Sequence, residues 1–335
     1  MFGNKKSVQF LQRCKQEKKD IVVVSVLTTE GSAYRKSGAM MLVDSDGTYL
    51  GVVSGGCFEE EVIHCCREVL ASRKGKYVTH DMRMKDDSPE SWGQGVGCNG
   101  LLKFWMEPFY HEEAFGVLAM ALESALNNEN KILLRSLEDA KGHRLVLEGF
   151  EGEARYLEEK KLFYQKIRSP YRLLVLGAGP GCESLVSIAD TQGWISTVAD
   201  TRQSHLKHVH TADQHYLLHT AAEANALCNK GFDAIVIMSH VFNSDSDYMK
   251  AALHSDAAYI GIMGPKKRTQ MLIQSIGLPE ETVLDARIHN PVGLELGGET
   301  PESIALAICA QIEATRNRRT AVSQPQEKLN SPNAA

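Results

Sequence analysis

The sequence feature that most constrains the fold is a glycine-rich loop, Gly177-Ala178-Gly179-Pro180-Gly181, which directly follows an apolar segment. The apolar residues 173–176 predict a buried strand, and the residues after the loop predict a helix. A strand, a tight glycine turn and a helix in this order are typical of dinucleotide-binding loops, because glycine lets a diphosphate approach the backbone at the helix N-terminus. Cys182 stands where the usual G-x-G-x-x-G spacing has its third glycine.

Asp200 lies 21 residues after Gly179, at the end of the next predicted strand. An acidic side chain at this place can accept a hydrogen bond from a ribose hydroxyl. We therefore expect Gly177, Gly179 and Asp200 to contribute to a nucleotide or phosphate site; the alternative is a fold that keeps the loop only for its turn. His240 follows a later predicted strand, so it is expected at the same carboxyl edge of the sheet.

From residue 171 onward, apolar strands alternate with helical stretches, which is typical of a parallel sheet. The strands are predicted at 173–176, 196–199, 234–238 and 258–262. A closing helix is predicted over 301–316, with Thr300 as its N-cap. The predicted fold class is α/β, with a C-terminal Rossmann-like, doubly wound parallel sheet preceded by a smaller α+β domain.

The first part of the chain predicts that smaller domain, which we place at residues 1–168. It begins with a helix at 7–18 and continues with strands at 21–26, 39–43, 49–53 and 101–106 and a helix at 59–70. A helix at 114–126 and strands at 131–137 and 144–147 follow, and the mixed-charge segment 158–168 ends the domain. The Rossmann-like domain then covers 169–319. Residues 320–335 are rich in Ser, Gln, Pro, Asn and Ala and predict a disordered tail.

Two cysteines lie in glycine-flanked segments of the first domain, in Ser54-Gly55-Gly56-Cys57 and in Gly97-Cys98-Asn99-Gly100. Glycines beside a thiol allow a tight turn and let a flat ligand approach the backbone. Cys57 precedes a predicted helix, whose N-terminus lowers the pKa of a nearby thiol and favours the thiolate. Both cysteines are therefore candidate ligands for a soft metal or for a sulfur-rich cofactor.

Composition excludes some function classes. The chain has 37 Lys and Arg against 42 Asp and Glu, a formal charge of -5, so binding to a phosphate backbone is not expected. No stretch is long and apolar enough to predict a membrane span, and no secretory signal precedes residue 7, so we expect a cytoplasmic protein. The eight cysteines include no C-x-x-C pair, which argues against a zinc ribbon or a thioredoxin-like site.

The motifs together resemble the XdhC/CoxI family of xanthine dehydrogenase accessory proteins, over about residues 31–313. The resemblance rests on the order and spacing of several short segments. These are Gly31-Ser32 with Arg35, Ser54-Gly55-Gly56-Cys57, Gly97-Cys98, Gly177-Ala178-Gly179, Asp200-Thr201-Arg202, Met238-Ser239-His240, Tyr259-Ile260-Gly261-Ile262-Met263-Gly264-Pro265-Lys266-Lys267-Arg268 and His289-Asn290-Pro291-Val292-Gly293.

This resemblance implies a molybdenum-cofactor chaperone of purine catabolism that is not itself an enzyme. Such a protein binds molybdopterin or its cytosine dinucleotide, protects it while a cysteine desulfurase supplies a terminal sulfur, and delivers it to a xanthine dehydrogenase-type apoenzyme. A homodimer is expected. The implied cofactor-binding residues are Arg35, Ser54, Gly55, Gly56, Cys57, Cys98, Gly177, Gly179, Asp200, Arg202 and His240, with Cys57 and Cys98 as possible contacts to molybdenum.

Two alternatives remain open from the sequence. An NAD(P)-dependent oxidoreductase would use Asp200 to select the nucleotide and His240 as the acid or base. It leaves the Gly-Gly-Cys segment without a purpose. A passive scaffold for the dehydrogenase would bind its partner without binding the cofactor.

Overall fold

The computed structural model describes residues 5–32, 35–53, 59–81, 99–138, 142–146, 152–279, 281–282 and 285–318. The chain forms two compact units, Met1–Pro170 and Tyr171–Ala335. The predicted tail, 320–335, lies outside the described residues. None of the helices within the described ranges is long and apolar enough to cross a membrane.

The first unit contains an antiparallel sheet in the order β3-β2-β1-β5-β4. Its strands are β1 (Ile21–Ser32), β2 (Met40–Asp44), β3 (Tyr49–Leu50), β4 (Lys76–Asp81) and β5 (Asn99–Phe109). Two helices, α1 (Lys5–Gln16) and α2 (Glu59–Ser72), supply apolar side chains to two different cores. Ile21 and Val23 of β1 lie in the core with α1, whereas Val22 and Val24 lie in the core with α2. The run of β-branched residues in β1 therefore follows from burial on both faces.

A second antiparallel sheet in the same unit has the order β7-β6-β9-β8. Helix α3 (Gly116–Leu126) is followed by β6 (Lys131–Ser136), β7 (Arg144–Val146), β8 (Ala154–Leu157) and β9 (Leu162–Ile167). The mixed-charge segment predicted at 158–168 is thus largely a strand. Its sequence, LFYQKI, buries every second residue, and Lys166 faces the other side. Within this strand Lys166 is the one charged residue, and the other charges of segment 158–168 lie before or after the strand.

The second unit is a six-stranded parallel sheet in the order β12-β11-β10-β13-β14-β15. Its strands are β10 (Arg172–Leu176), β11 (Ile195–Asp200), β12 (Gln214–Leu217), β13 (Ala234–Ile237), β14 (Tyr259–Ile262) and β15 (Ile288–His289). Its helices are α4 (Cys182–Thr191), α5 (Gln203–Leu206), α6 (Ala224–Cys228), α7 (Phe242–Leu253), α8 (Lys266–Ser275) and α9 (Pro301–Arg316). The strand order is that of a doubly wound Rossmann fold, so the predicted fold class is confirmed.

Alternate residues of β10 point into two cores. Leu173 and Val175 pack with side chains of α4 and α9, and Leu174 and Leu176 pack with side chains of α6, α7 and α8. Strand order reverses between β10 and β13, so the loops after these two strands meet at the carboxyl edge of the sheet. This edge is where ligands bind in open α/β sheets.

Candidate functional site

Of the residues predicted to bind the cofactor in the first unit, Ser54, Gly55, Gly56, Cys57 and Cys98 lie outside the described residues. Arg35 is described and is half-buried in the segment between β1 and β2. The remaining predicted residues, Gly177, Gly179, Asp200, Arg202 and His240, all belong to the second unit.

The segment that carries Arg35 is held by hydrogen bonds from both sides. Ser37 Oγ donates to the Leu27 carbonyl at 2.6 Å, and the Gly38 N–H donates to the Val26 carbonyl at 2.9 Å. Gln165 Nε2 of β9 donates to the Gly38 carbonyl at 2.7 Å. These bonds fix the backbone next to Arg35 in one conformation.

A buried arginine supports this arrangement, and sequence reasoning missed it. Arg135 is fully buried, and its Nη2 donates to Ser25 Oγ at 2.7 Å and to Gln165 Oε1 at 3.3 Å. Its Nη1 donates to Glu107 Oε2 at 3.3 Å, and His143 Nε2 lies 2.9 Å from Glu107 Oε1. Burial lowers the pKa of Arg135, and Glu107 opposes this effect. The available signal was an arginine directly after the apolar residues Ile132, Leu133 and Leu134 of β6.

In the second unit, the glycine loop packs against its own chain. Gly177 has a φ of +108°, and a Cβ added there would lie 2.3 Å from the Ser239 backbone nitrogen. A Cβ on Gly179 would lie 3.2 Å from the Met238 carbonyl oxygen and 3.6 Å from His240 Cδ2. The absence of a side chain at Gly177 therefore lets the segment after β13 approach this loop.

The carboxylate of Asp200 is fully occupied by hydrogen bonds within the chain. Its Oδ2 accepts from the Ala178 N–H and from Arg202 Nη2, both at 2.7 Å. Its Oδ1 accepts from the Arg202 N–H at 2.8 Å and from Arg202 Nε at 2.9 Å. Burial alone would raise the pKa of Asp200, but the hydrogen bonds from Arg202 and Ala178 lower it below its ordinary value.

These contacts continue along the carboxyl edge of the sheet. Arg202 Nη2 also lies 3.5 Å from the Ser239 carbonyl oxygen. The Ser239 hydroxyl donates to Asp245 Oδ1, and Asp245 Oδ2 is 2.8 Å from Arg268 Nη1. Asp200 and Asp245 are each 1% exposed. Connected polar contacts thus join the segments that follow β10, β11, β13 and β14. We call this set of groups the edge network; it consists of the Ala178 N–H and the residues Asp200, Arg202, Ser239, Asp245 and Arg268.

His240 is the exposed member of this edge. It has a φ of +62°, which is uncommon for a residue with a side chain, and its ring lies beside Gly179. The alternation of strands and helices therefore predicted that Gly177, Gly179, Asp200 and His240 lie at one edge, with Asp245 close to His240. It did not predict the ion pair between Asp245 and Arg268.

Five of the described cysteines are buried among apolar residues; burial raises the pKa of the Cys14 thiol, and it raises the pKa of each of the other four to about 12. Those four are Cys66, Cys182, Cys228 and Cys309. At neutral pH such thiols stay protonated, so they are poor metal ligands and poor nucleophiles. Cys182, in place of the third loop glycine, is one of these packing residues.

Comparisons with known proteins match both parts of the chain. Residues 14–81 match the model of the XdhC and CoxI family, and residues 173–312 match the model of the XdhC Rossmann domain. A Bacillus subtilis protein described as a probable xanthine dehydrogenase subunit is 30% identical, over 90% of this chain and 95% of its own. An Escherichia coli protein named molybdenum cofactor insertion chaperone PaoD is 23% identical, over 89% of this chain and 84% of its own.

A solved structure agrees with these matches over nearly the whole length. A crystal structure from Bacillus halodurans, named a xanthine dehydrogenase, is 28% identical and superposes with a TM-score of 0.77. It covers 97% of this chain, and the match covers 98% of that protein. The resemblance in the sequence motifs is confirmed by these findings, and the chain belongs to the XdhC and CoxI family.

Proposed function

We propose that this chain is an accessory protein of a xanthine dehydrogenase-type molybdenum hydroxylase. It binds the molybdenum cofactor, protects it while a terminal sulfur is installed, and delivers it to the apoenzyme. The observation that carries the proposal is family membership over both units, together with a relative named a molybdenum cofactor insertion chaperone.

In this proposal the thiolates of Cys57 and Cys98 contact or guard the molybdenum centre. Sulfur donors suit a thiophilic metal held by a dithiolene, and Cys57 lies two residues before the first residue of α2. Arg35 binds a phosphate oxygen of the cofactor, because a guanidinium can donate two parallel hydrogen bonds to phosphate. The hydrogen bonds of Ser37 and Gly38 hold the backbone next to it. Ser54, Gly55 and Gly56 give the cofactor access to the backbone beside Cys57.

The Rossmann unit contributes through its carboxyl edge. Gly177, Gly179, Arg202 and His240 line the place where a phosphate or nucleotide group of the cofactor would bind. Asp200 acts indirectly, since its oxygens already accept from Arg202 and Ala178; it fixes the position of both. The NAD(P)-dependent oxidoreductase is less well supported, because a ribose hydroxyl would have to displace a hydrogen bond that Asp200 accepts from Arg202 or Ala178.

The partners follow from the same proposal. The apoenzyme receives the cofactor, a cysteine desulfurase supplies the sulfur, and two copies of the chain form a dimer. The protein acts in the cytoplasm, in purine catabolism, without turnover of its own. Whether the cargo is molybdopterin or its cytosine dinucleotide is decided by binding each to the purified chain.

Co-expression with a xanthine dehydrogenase-type apoenzyme tests the proposal. The chain should raise the activity of that enzyme and its content of sulfurated cofactor without changing its abundance. A passive scaffold would change abundance or assembly and leave the cofactor content per molecule unchanged. Catalytic oxidation or reduction of a nicotinamide cofactor by the purified chain would instead support the oxidoreductase.

A further inference from the structure

Helices α1 and α3 of the first unit pack against each other and leave a groove on the surface of that unit. The groove encloses about 470 Å³. Its floor is apolar, because the lining side chains Val8, Leu11, Phe115 and Leu122 are each at most 5% exposed. These four side chains belong to the core that α1 shares with β1. We call the surface formed by residues 8–15 and 113–123 the α1–α3 groove.

Each of the two helices presents one face to the α1–α3 groove. The lining residues within the helices share the spacing i, i+3, i+4 and i+7, which places side chains on one side of a helix. They are Val8, Leu11, Gln12 and Lys15 of α1, and Gly116, Ala119, Met120 and Glu123 of α3. A Cβ added at Gly116 would meet no atom within 4 Å, so the groove is open at this end. Two adjacent helix faces therefore border one open surface.

Met120 is a protruding apolar side chain of this surface. It is 58% exposed although it lines the groove, and the apolar floor lies beside it. The surface thus has both an apolar projection and an apolar hollow, which is unusual for a surface that only water covers. Methionine is enriched at protein interfaces, because its flexible side chain adapts to the surface that it meets. A surface with both shapes can pair with a second copy of itself.

The two walls of the α1–α3 groove carry opposite charges. Lys15 lies on the α1 wall, whereas Glu113 and Glu123 lie on the α3 wall. All three side chains are exposed, and none of them forms an ion pair within the described ranges of the chain. A two-fold axis that runs along the groove, between two copies, sets the α1 wall of each copy against the α3 wall of the other. Lys15 of each copy then faces the acidic wall of the other copy.

We propose that the α1–α3 groove is the interface of a homodimer, in which Met120 of each copy occupies the apolar groove of the other. Burial of Met120 and of the groove floor supplies the affinity. The opposite charges select an axis along the groove over an axis across it, which would place like charges together. Two helices from each copy then pack as four helices around one apolar layer. The inference rests on the proposed function in one respect, because the dimer is part of that proposal.

Sedimentation of the full chain at several concentrations measures the dissociation constant of the dimer. Met120→Asp buries a charge in the interface, so we expect this constant to rise about tenfold or more. Met271→Asp is the matched control, because Met271 is a methionine of α8 in the second unit that is 49% exposed. It should change the constant less than about twofold. Equal constants for the two variants, or a native chain that stays monomeric, would overturn the proposal.

Charge reversal gives a second test, which depends on the pairing of a copy with itself. Lys15→Glu leaves only acidic charges in the lining, and Glu113→Lys combined with Glu123→Lys leaves only basic ones. Each variant alone should dimerise about tenfold more weakly at low salt, because like charges then face each other. A mixture of the two variants should form a heterodimer about as tight as the native dimer. Two weakened variants that do not recover on mixing would contradict the proposed pairing, and so would variants that dimerise as tightly as the native chain.

The outcomes separate this interface from the proposed function. A dimer that depends on Met120 and on the opposite charges, in a chain that does not activate the hydroxylase, keeps the interface and contradicts the function. A native chain that stays monomeric and still activates the hydroxylase keeps the delivery of the cofactor and contradicts the interface; the groove then has another occupant. A native dimer that is unchanged in all of these variants uses another surface, which also overturns the proposal.

Discussion

Asp200 and Arg202 form a two-point ion pair at the end of β11, with Nη2 at 2.7 Å from Oδ2 and Nε at 2.9 Å from Oδ1. In a dinucleotide-binding Rossmann fold, an acid at this place binds the ribose. Here it binds an arginine and the Ala178 N–H of the glycine loop. The acid thus stabilises the edge of the sheet and fixes the position of the Arg202 guanidinium, whose charge it balances.

Asp200→Asn should destabilise the chain by about 2 kcal/mol at pH 7, because bonds to a charged group are lost. The pKa of Asp200 is lowered in the folded state, so its contribution is present above the unfolded value of about 3.9 and is lost as pH falls through the folded pKa. Denaturant unfolding from pH 7 to pH 3 measures the difference between native chain and variant.

That difference should stay constant down to about pH 4 and shrink below it. Asp247→Asn removes an exposed acid on α7 and serves as the control, with an expected change below about 0.5 kcal/mol. If the difference in the free energy of unfolding between the native chain and Asp200→Asn grew toward acid pH, the Asp200 carboxylate would not be stabilised by Arg202 and Ala178.

The two glycines of the loop should respond differently to alanine. Gly177→Ala places a Cβ 2.3 Å from the Ser239 backbone nitrogen at a φ of +108°, so we expect a loss of about 3 kcal/mol from overpacking and strain. Gly179→Ala meets its nearest atom at 3.2 Å without a positive φ and should cost about 1 kcal/mol or less. Thermal unfolding of both variants compares them directly, and similar losses would show that Gly177 is not packed against Ser239.

The sequence predicted the elements whose signals are local. The helix expected over 301–316 is observed as Pro301–Arg316, and the Thr300 side chain accepts from the Ser303 N–H as expected of an N-cap. The buried strands of the parallel sheet were found because they are short apolar runs. Strands β4 and β12 were missed because they lie at the edges of their sheets, where KYVTHD and QHYL leave most side chains exposed.

The candidate site was predictable only in part, for a different reason. Gly177, Asp200 and His240 follow predicted strands, so their common edge could be derived from the alternation of strands and helices. The contacts of Gly177 with Ser239 and of Asp245 with Arg268 join segments that are far apart in sequence. Such contacts depend on how the loops pack, and local sequence patterns do not predict them.

The buried arginine of the first unit gives another test. Glu107→Gln removes the negative charge that faces Arg135, so we expect a loss of about 3–5 kcal/mol. Replacing both residues, Arg135→Met with Glu107→Leu, should recover at least half of that loss, because no uncompensated charge remains. Denaturant midpoints of the three proteins measure this.

The exposed ion pair of Lys103 and Glu158 provides the control for the Glu107 substitution. Glu158→Gln should change stability by about 0.5 kcal/mol or less, as surface ion pairs usually do. If Glu107→Gln lowered the free energy of unfolding as little as Glu158→Gln, the hydrogen bonds of Arg135 would contribute little to the stability of the first unit or of the segment that carries Arg35.

Whether Cys57 holds the molybdenum cofactor is tested by the molybdenum and pterin content of the chain purified from cells that make the cofactor. The native chain and Cys65→Ala, a substitution of a half-buried thiol on α2, should both retain molybdenum and pterin together. Cys57→Ala should melt at the same temperature and retain several-fold less of both. If Cys57→Ala retained as much molybdenum and pterin as the native chain, at the same melting temperature, Cys57 would not hold the cofactor.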